Sequence, residues 1–201
     1  MKLIFIFIIS YLAGSVNFAI LLFRILGKGD PRSGFSGNAG VTNVYRMEGP
    51  VSAAIVLILD VGRAVLVALL AIYALAPSQV PWAGLALVIG NRYPCFHEFR
   101  GGKGVANYLG FTAAVSPAGA LLSAAAWVAV YLVKRVPFIA SFAMVSVLAL
   151  AEIIACGHTM GAAAGSILTA LFILFNHRKN LEEFLRTGKK EDEGPADRGD
   201  M

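Results

Sequence analysis

The chain has 201 residues, of which 58% are hydrophobic and only 14% charged, and its mean hydropathy is +0.73. A water-soluble domain of this size needs far more surface charge, so a soluble globule is excluded and a helical bundle in lipid is expected. The net charge of +5 sits in clusters between apolar runs; no nucleic-acid partner and no cofactor is expected, and the two cysteines lack zinc or iron–sulfur spacing, so no metal is expected.

Five stretches approach the 17–25 apolar residues needed to cross a bilayer: residues 3–26, 51–75, 118–133, 138–156 and 160–175. The first, led by Lys2, resembles a secretory signal. It is long, carries Ser10, Ser15 and Asn17, and has no small-x-small cleavage site, so a retained first helix is expected. The second carries Asp60 and Arg63 three residues apart, on one helix face, where a pair inside the bundle is expected. Two shorter stretches, 82–90 and 105–115, flank a glycine-rich segment and read as short or re-entrant helices. Glu152, near the outer end of its helix, is expected to reach interfacial water. Cys95 and Cys156 fall at opposite ends of the bilayer, so no disulfide is expected. Residues 1–188 read as one transmembrane domain and residues 189–201 as a disordered charged tail.

Lys and Arg occupy alternate connections. Arg24, Lys28, Arg32 and Arg46 follow the first run; Arg92, Arg100 and Lys103 lie in the glycine-rich segment; Lys134 and Arg135 form a turn; Arg178, Lys179 and Arg186 begin the C-terminal segment. The connections 76–81, 116–117 and 157–159 have none. The positive-inside rule puts the basic connections and the C-terminus in the cytoplasm and the N-terminus outside, which requires an odd number of crossings. With the two short helices, the expectation is an all-α bundle of about seven transmembrane segments.

Three constellations fall on that cytoplasmic side. The first, residues 33–46, is rich in Gly, Ser and Asn and ends on Arg46; such a segment aims several donors at one oxyanion, or is a plain polar loop. The second, residues 90–107, contains Gly101-Gly102-Lys103-Gly104 and runs into a helix. Its glycine amides and lysine suit phosphate, although the Walker spacing is missing; the alternative is a glycine hinge whose lysine meets lipid headgroups. The third, residues 176–181, puts His177 and Asn180 three apart on one face. The joint inventory is cationic, hydroxyl-rich and free of a carboxylate dyad. It suits a phosphorylated substrate whose reaction needs positioning and charge neutralisation.

At these residues the sequence resembles the integral-membrane glycerol-3-phosphate acyltransferases that use acyl phosphate, the PlsY family. The resemblance spans nearly the whole chain: Ser36-Gly37-Asn38 with Gly40, Thr42-Asn43 and Arg46; Tyr93-Pro94 with Gly101 to Ala106; His177-Arg178 with Asn180. It implies a seven-helix bundle in the bacterial inner membrane with its active site open to the cytoplasm. It implies transfer of an acyl group from acyl phosphate to the 1-hydroxyl of glycerol 3-phosphate, giving lysophosphatidic acid and phosphate, with membrane lipid as surroundings. The residues implied are Ser36, Arg46, Lys103, His177 and Asn180 as catalytic, and Asn38, Gly101, Gly102, Gly104 and Ser141 as substrate-binding, with no metal. Either His177 or the substrate's own phosphate would take the hydroxyl proton. The chain departs from the family pattern at Phe35, Asn91, Asn107 and Lys179, where Gly, His, Thr and Glu are usual. A small anion transporter and a non-catalytic membrane paralogue remain the other readings.

Overall fold

A computed structural model describes residues 1–192, with side chains described to Arg186. Nine helices make up the described residues: α1 (Lys2–Ser15), α2 (Phe18–Ile25), α3 (Val41–Ala74), α4 (Val80–Arg92), α5 (Val105–Val115), α6 (Pro117–Lys134), α7 (Pro137–Ala155), α8 (Met160–Asn176) and α9 (Arg178–Asp192). Four spans are long and apolar enough to cross a membrane: Lys2–Ile25, Val41–Ala74, Pro117–Lys134 and Pro137–Ala155; α8 and the start of α9 (Arg178–Arg186), bent by 45°, make a fifth only when taken together as one span. The short helices α4 and α5 have 13 and 11 residues. Helix α9 takes in the start of the expected disordered tail, and residues 193–201 lie outside the described residues.

The apolar runs bury small residues and turn large ones outward. Leu66, Tyr73, Leu121, Leu122 and Val133 are well exposed on the helix surfaces, which is the surface a lipid-facing bundle presents, since lipid tails satisfy apolar side chains as a core does. Inside, Ile6, Ala64, Ala68, Leu87 and Phe111 join α1, α3, α4 and α5. Val88, Tyr108, Leu148 and Ile173 join α4, α5, α7 and α8. Close backbone approach makes this possible. A Cβ on Gly14 would stand 2.1 Å from the Leu87 carbonyl oxygen, and one on Gly90 2.1 Å from that of Tyr11. Helices α1 and α4 thus meet backbone to backbone through reciprocal glycines.

Two expectations are corrected. The connection ahead of the second span is not all loop. Helix α3 starts at Val41 and is broken at Gly49 (φ 81°, ψ −175°) before Pro50. Pro50 lacks an N–H and so opens a new helix readily. Residues 41–48 are therefore a helical arm ahead of the span, and Arg46 sits on that arm rather than in a loop. Glu152 does not reach water. It is fully buried, accepting from Tyr108 Oη at 3.1 Å, Ser166 Oγ at 2.9 Å and Thr112 Oγ1 at 3.4 Å. Hydroxyls of α5 and α8 satisfy a carboxyl that hydrocarbon alone would not tolerate.

The buried Asp60–Arg63 pair has the expected geometry, 2.8 Å between Oδ1 and Nη2. Arg63 also donates to Asn107 Oδ1 on α5 and to the Val16 carbonyl at the α1–α2 break. Asn17, beside that break, caps α2 by accepting from the Ile20 amide at 3.0 Å and donates to the Ala39 carbonyl at 3.1 Å. Removing the cation leaves Asp60 buried and unpaired. Arg63→Met is expected to cost about 3–5 kcal/mol of stability, read as reversible unfolding in mixed micelles. Asp60→Leu in the same chain is expected to return part of that loss; an equal loss in single and double variants would show that the ion pair is not its source.

Candidate active site

All three constellations gather at one end of the bundle. The connection between α2 and α3 is organised by Asn43, on the first turn of α3. Its Nδ2 donates to the carbonyls of Pro31 (2.6 Å) and Gly34 (3.3 Å), and its Oδ1 accepts from the amide and hydroxyl of Ser36 at 3.2 and 3.1 Å. One buried amide thereby folds the loop around itself and holds Ser36, which is solvent-exposed. Asn38 lies half-buried against Gly40, its carbonyl accepting from the Gly40 amide at 3.0 Å. Phe35 stands at φ 47°, the left-handed region that favours glycine.

A second clamp joins this loop to the glycine-rich one. Arg32 grips Asp30 through Nε and Nη2, the latter at 2.6 Å, reaches Glu98 at 3.3 Å, and donates through Nη1 to the carbonyls of His97 (3.0 Å) and Arg100 (3.2 Å). The hydrogen bonds from Arg32 hold the Asp30 carboxyl below its usual range, and those same bonds raise the guanidinium's own pKa.

Within the glycine loop, the structure changes the role expected of the backbone. The amides of Gly101 and Gly102 do not point at an open cradle. They donate to the carbonyls of Arg92 (3.1 Å) and Asn91 (2.9 Å), at the end of α4. What these residues provide is close approach. A Cβ on Gly101 would fall 2.0 Å from the Asn91 carbonyl oxygen, and one on Gly102 would fall 2.7 Å from Asn91 Nδ2 and 3.1 Å from the Ala39 oxygen of the first loop. Gly104, at φ 96°, turns the chain into α5, whose first-turn amides have no partner inside the helix.

Lys103 projects from this packed loop. Its Nζ donates to Asn180 Oδ1 on α9, and its carbonyl accepts from Asn176 Nδ2 at 3.3 Å. Burial lowers its pKa to about 8, assisted by the positive charges of Arg92 and Arg46. His177 caps α8, with Nδ1 2.8 Å from the Ile173 carbonyl and its ring edge-on to Phe142 at 5.6 Å. That contact makes Nδ1 the donor and leaves Nε2 as the lone-pair nitrogen. Burial, then the charge of Lys103, lowers its pKa to about 4. His177 and Asn180 do not share one continuous helix face: they lie on either side of the α8–α9 bend, and both approach Lys103. Ser141 is set apart. It donates to Pro137 O at 3.0 Å and accepts from Trp127 Nε1 at 3.4 Å, between α6 and α7, one residue from Phe142.

The loops enclose an open cleft of about 540 Å³ lined by Asp30, Arg32, Ser33, Gly37, Arg92, Glu98, Arg100, Gly101 and Lys179. Thus Lys103, His177 and Asn180 are brought together, Arg46 acts on Lys103 through its charge, and the Ser36 loop packs across the glycines. Sequence reasoning missed Arg92, Arg32, Asn43 and Asn176 as members of this site. Arg32 and Arg92 were visible as loop cations, and Asn43 and Asn176 stood inside the first and third constellations, Asn43 in the matched Thr42-Asn43 pair, without a role given to either.

The family model described as "Glycerol-3-phosphate acyltransferase" matches residues 4–187. A glycerol-3-phosphate acyltransferase of Pseudomonas paraeruginosa is 39% identical over 177 residues, covering 88% of this chain and 92% of the relative. One from Laribacter hongkongensis is 41% identical over 180 residues, covering 87% and 88%. The crystal structure of PlsY (YgiH), an integral membrane glycerol 3-phosphate acyltransferase in its glycerol 3-phosphate form, superposes with a TM-score of 0.85 at 33% identity, covering 93% of this chain and 94% of that one. Its lysophosphatidic acid form superposes at 0.82. On a match that runs nearly end to end in both sequence and fold, the chain belongs to the glycerol-3-phosphate acyltransferase family and is a multi-pass membrane protein.

Proposed function

We propose that this chain transfers an acyl group from acyl phosphate to the 1-hydroxyl of glycerol 3-phosphate at the inner face of a bacterial inner membrane. The observation that carries the reading is Lys103, a half-buried cation held between Asn176 and Asn180 beside a histidine. The donor is already activated, so the site's work is to position two phosphorylated reactants and offset their charge. Lys103 and Arg46 bind phosphate. The hydroxyl of Ser36 and the first-turn amides of α5 hold the donor's phosphate. Asn38 lines the approach from the first loop, and Gly101, Gly102 and Gly104 bring the backbones together. Asn180 and His177 position glycerol 3-phosphate. His177 is neutral at physiological pH and presents Nε2, yet a group with pKa about 4 is a weak base. That supports the acceptor's own phosphate as the proton acceptor. The acyl chain lies toward α6 and α7, where Trp127, Ser141 and Phe142 line the approach to His177.

In this reading the chain crosses seven times: α1 with α2, α3, α4, α5, α6, α7 and α8 each once. The basic connections then share one side with the site. A cytoplasm-impermeant thiol reagent added to intact cells should label a cysteine placed at Ser78 and spare one placed at Arg186. The reverse pattern would overturn the orientation.

Purified protein given acyl phosphate and glycerol 3-phosphate should release phosphate, and Lys103→Ala should lose at least about a hundredfold in kcat/KM. No release from the wild type would sink the enzyme reading; full activity in the variant would remove the phosphate role of Lys103. The lowered lysine pKa sets a sign. Lys103 is charged below pH 8 and loses its charge above it, so kcat/KM should fall through an alkaline limb near 8. Lys103→Arg should push that limb upward, while no acid limb near 6.5 should come from His177. Adding a methyl at Gly101 forces the α4 end and the loop apart. Gly101→Ala should therefore cut turnover by about two orders of magnitude, whereas Gly29→Ala, with no atom within 4 Å of the added carbon, should change it less than twofold.

A further inference from the structure

We propose that Arg92 and Lys179 form a separate subsite for a water-soluble phosphate dianion at the mouth of the site, capturing glycerol 3-phosphate ahead of the Lys103 centre. The inference rests on the reaction proposed above and concerns the cleft, not Lys103. Its walls come from four places: the first loop (Ser33, Gly37), the end of α4 (Arg92), the glycine loop (Arg100, Gly101) and the start of α9 (Lys179). Not one lining residue carries an apolar side chain, so the cleft has no place for an acyl tail. Its size, about 540 Å³, admits a small hydrated anion with ease.

The charge in this cleft is uneven. Asp30 and Glu98 line it, but both carboxylates are engaged by Arg32, at 2.6 and 3.3 Å. The lining thus holds four cations, Arg32, Arg92, Arg100 and Lys179, against two carboxylates, a net charge of +2. Arg92 is half-buried, with its guanidinium carbon 5.4 Å from the centre of the Tyr93 ring, and its buried Nε has no hydrogen-bond partner among the described residues. A guanidinium held against an aromatic ring on the wall of a polar cleft presents a fixed charge to an oxyanion. Lys179 is exposed and one residue before Asn180, so α9 carries one residue toward each cation centre. Gly37 and Gly101 contribute bare backbone between them. Two centres suit a turnover that handles two phosphates. The outer one meets the soluble acceptor first and passes it inward to Asn180 and His177 beside Lys103, where the donor waits. A cationic mouth also raises the local concentration of a dianion, an effect that falls with salt.

The test uses the full-length protein in micelles, with Arg92→Gln and Lys179→Gln. Each is expected to raise KM for glycerol 3-phosphate by roughly tenfold, the loss of one charge-assisted contact, and to flatten the salt dependence of kcat/KM. For Lys179→Gln, KM for acyl phosphate and kcat should stay within about twofold of wild type, as merely structural damage would not allow; Arg92→Gln also removes a charge that lowers the Lys103 pKa, so its alkaline limb should move upward. Product inhibition by inorganic phosphate separates the sources: a parallel rise in its inhibition constant means that the leaving phosphate also uses the subsite, and an unchanged constant confines it to the acceptor. Both support the subsite. Unchanged KM for glycerol 3-phosphate in both variants, or a rise confined to acyl phosphate, overturns it. If Arg92→Gln unfolds through loss of the Tyr93 contact, the exposed Lys179→Gln decides alone. Calorimetric titration with inorganic phosphate keeps the two proposals distinct. Weaker phosphate binding in the variants, in a protein that fails to turn over, would sink the acyltransferase reading and leave the subsite standing.

Discussion

Arg63 is the cation on which the placement of the first loop depends. A guanidinium inside an apolar bundle is tolerable only when most of its donors are filled; this one fills both terminal nitrogens, while its buried Nε has no partner among the described residues. Asp60 lies on its own helix, Asn107 on α5, and the Val16 carbonyl at the break between α1 and α2. That break frees a carbonyl for the cation and sets Asn17 where it caps α2 and reaches Ala39. Ala39 in turn is the first-loop residue against which Gly102 packs. A chain of filled polar groups therefore runs from the buried pair to the contact between the two loops. One departure from the family pattern, Asn107 in place of Thr, sits inside this chain and supplies one of the acceptors that Arg63 uses.

At the site, rigidity comes from side-chain amides more than from the glycines. Asn43 ties the Ser36 loop, Asn176 ties the Lys103 carbonyl, Asn180 takes the Lys103 ammonium, and Asn91 is packed against both glycines. Amides suit this place because they donate and accept without adding charge. Carboxylates in the same positions would pair with Lys103 and Arg46 and compete with phosphate. The only acidic groups lining the cleft, Asp30 and Glu98, are held by Arg32, which turns them into a clamp rather than a competitor.

Much of this was legible in the sequence because it depends on composition and period. The apolar runs, the interruption at 93–104, the basic connections and the three polar constellations all follow from local residue content. Helix 41–48 was not legible: Gly40, Thr42 and Asn43 read as loop, and the helix start is anchored by Asn43 bonds to Pro31 and Gly34, carbonyls up to twelve residues away. Glu152 was misplaced for the same reason, since its partners Tyr108, Thr112 and Ser166 belong to other helices. The glycine loop is the instructive case. Its location and importance were visible, but the direction of its amides depends on whether α4 ends with free carbonyls nearby, and Asn91 and Arg92 provide them.

That last point bears on how a lysine can serve as the inner cation. With the amides of Gly101 and Gly102 already engaged, the loop offers little backbone charge to an anion, and the ammonium of Lys103 must supply most of it. Holding Lys103 half-buried beside Arg92 and Arg46 costs solvation and adds repulsion, which is why its pKa falls toward 8. In the proposed function, an incoming phosphate would reverse both penalties at once, because it brings a counter-ion to Lys103 and Arg46. Part of the free energy of binding phosphate would then be the relief of repulsion built into the site. Asn180 keeps the ammonium in place without neutralising it, and the charge of Glu183 offsets only part of the penalty. A carboxylate at residue 180 would hold Lys103 more tightly and release less when phosphate arrives.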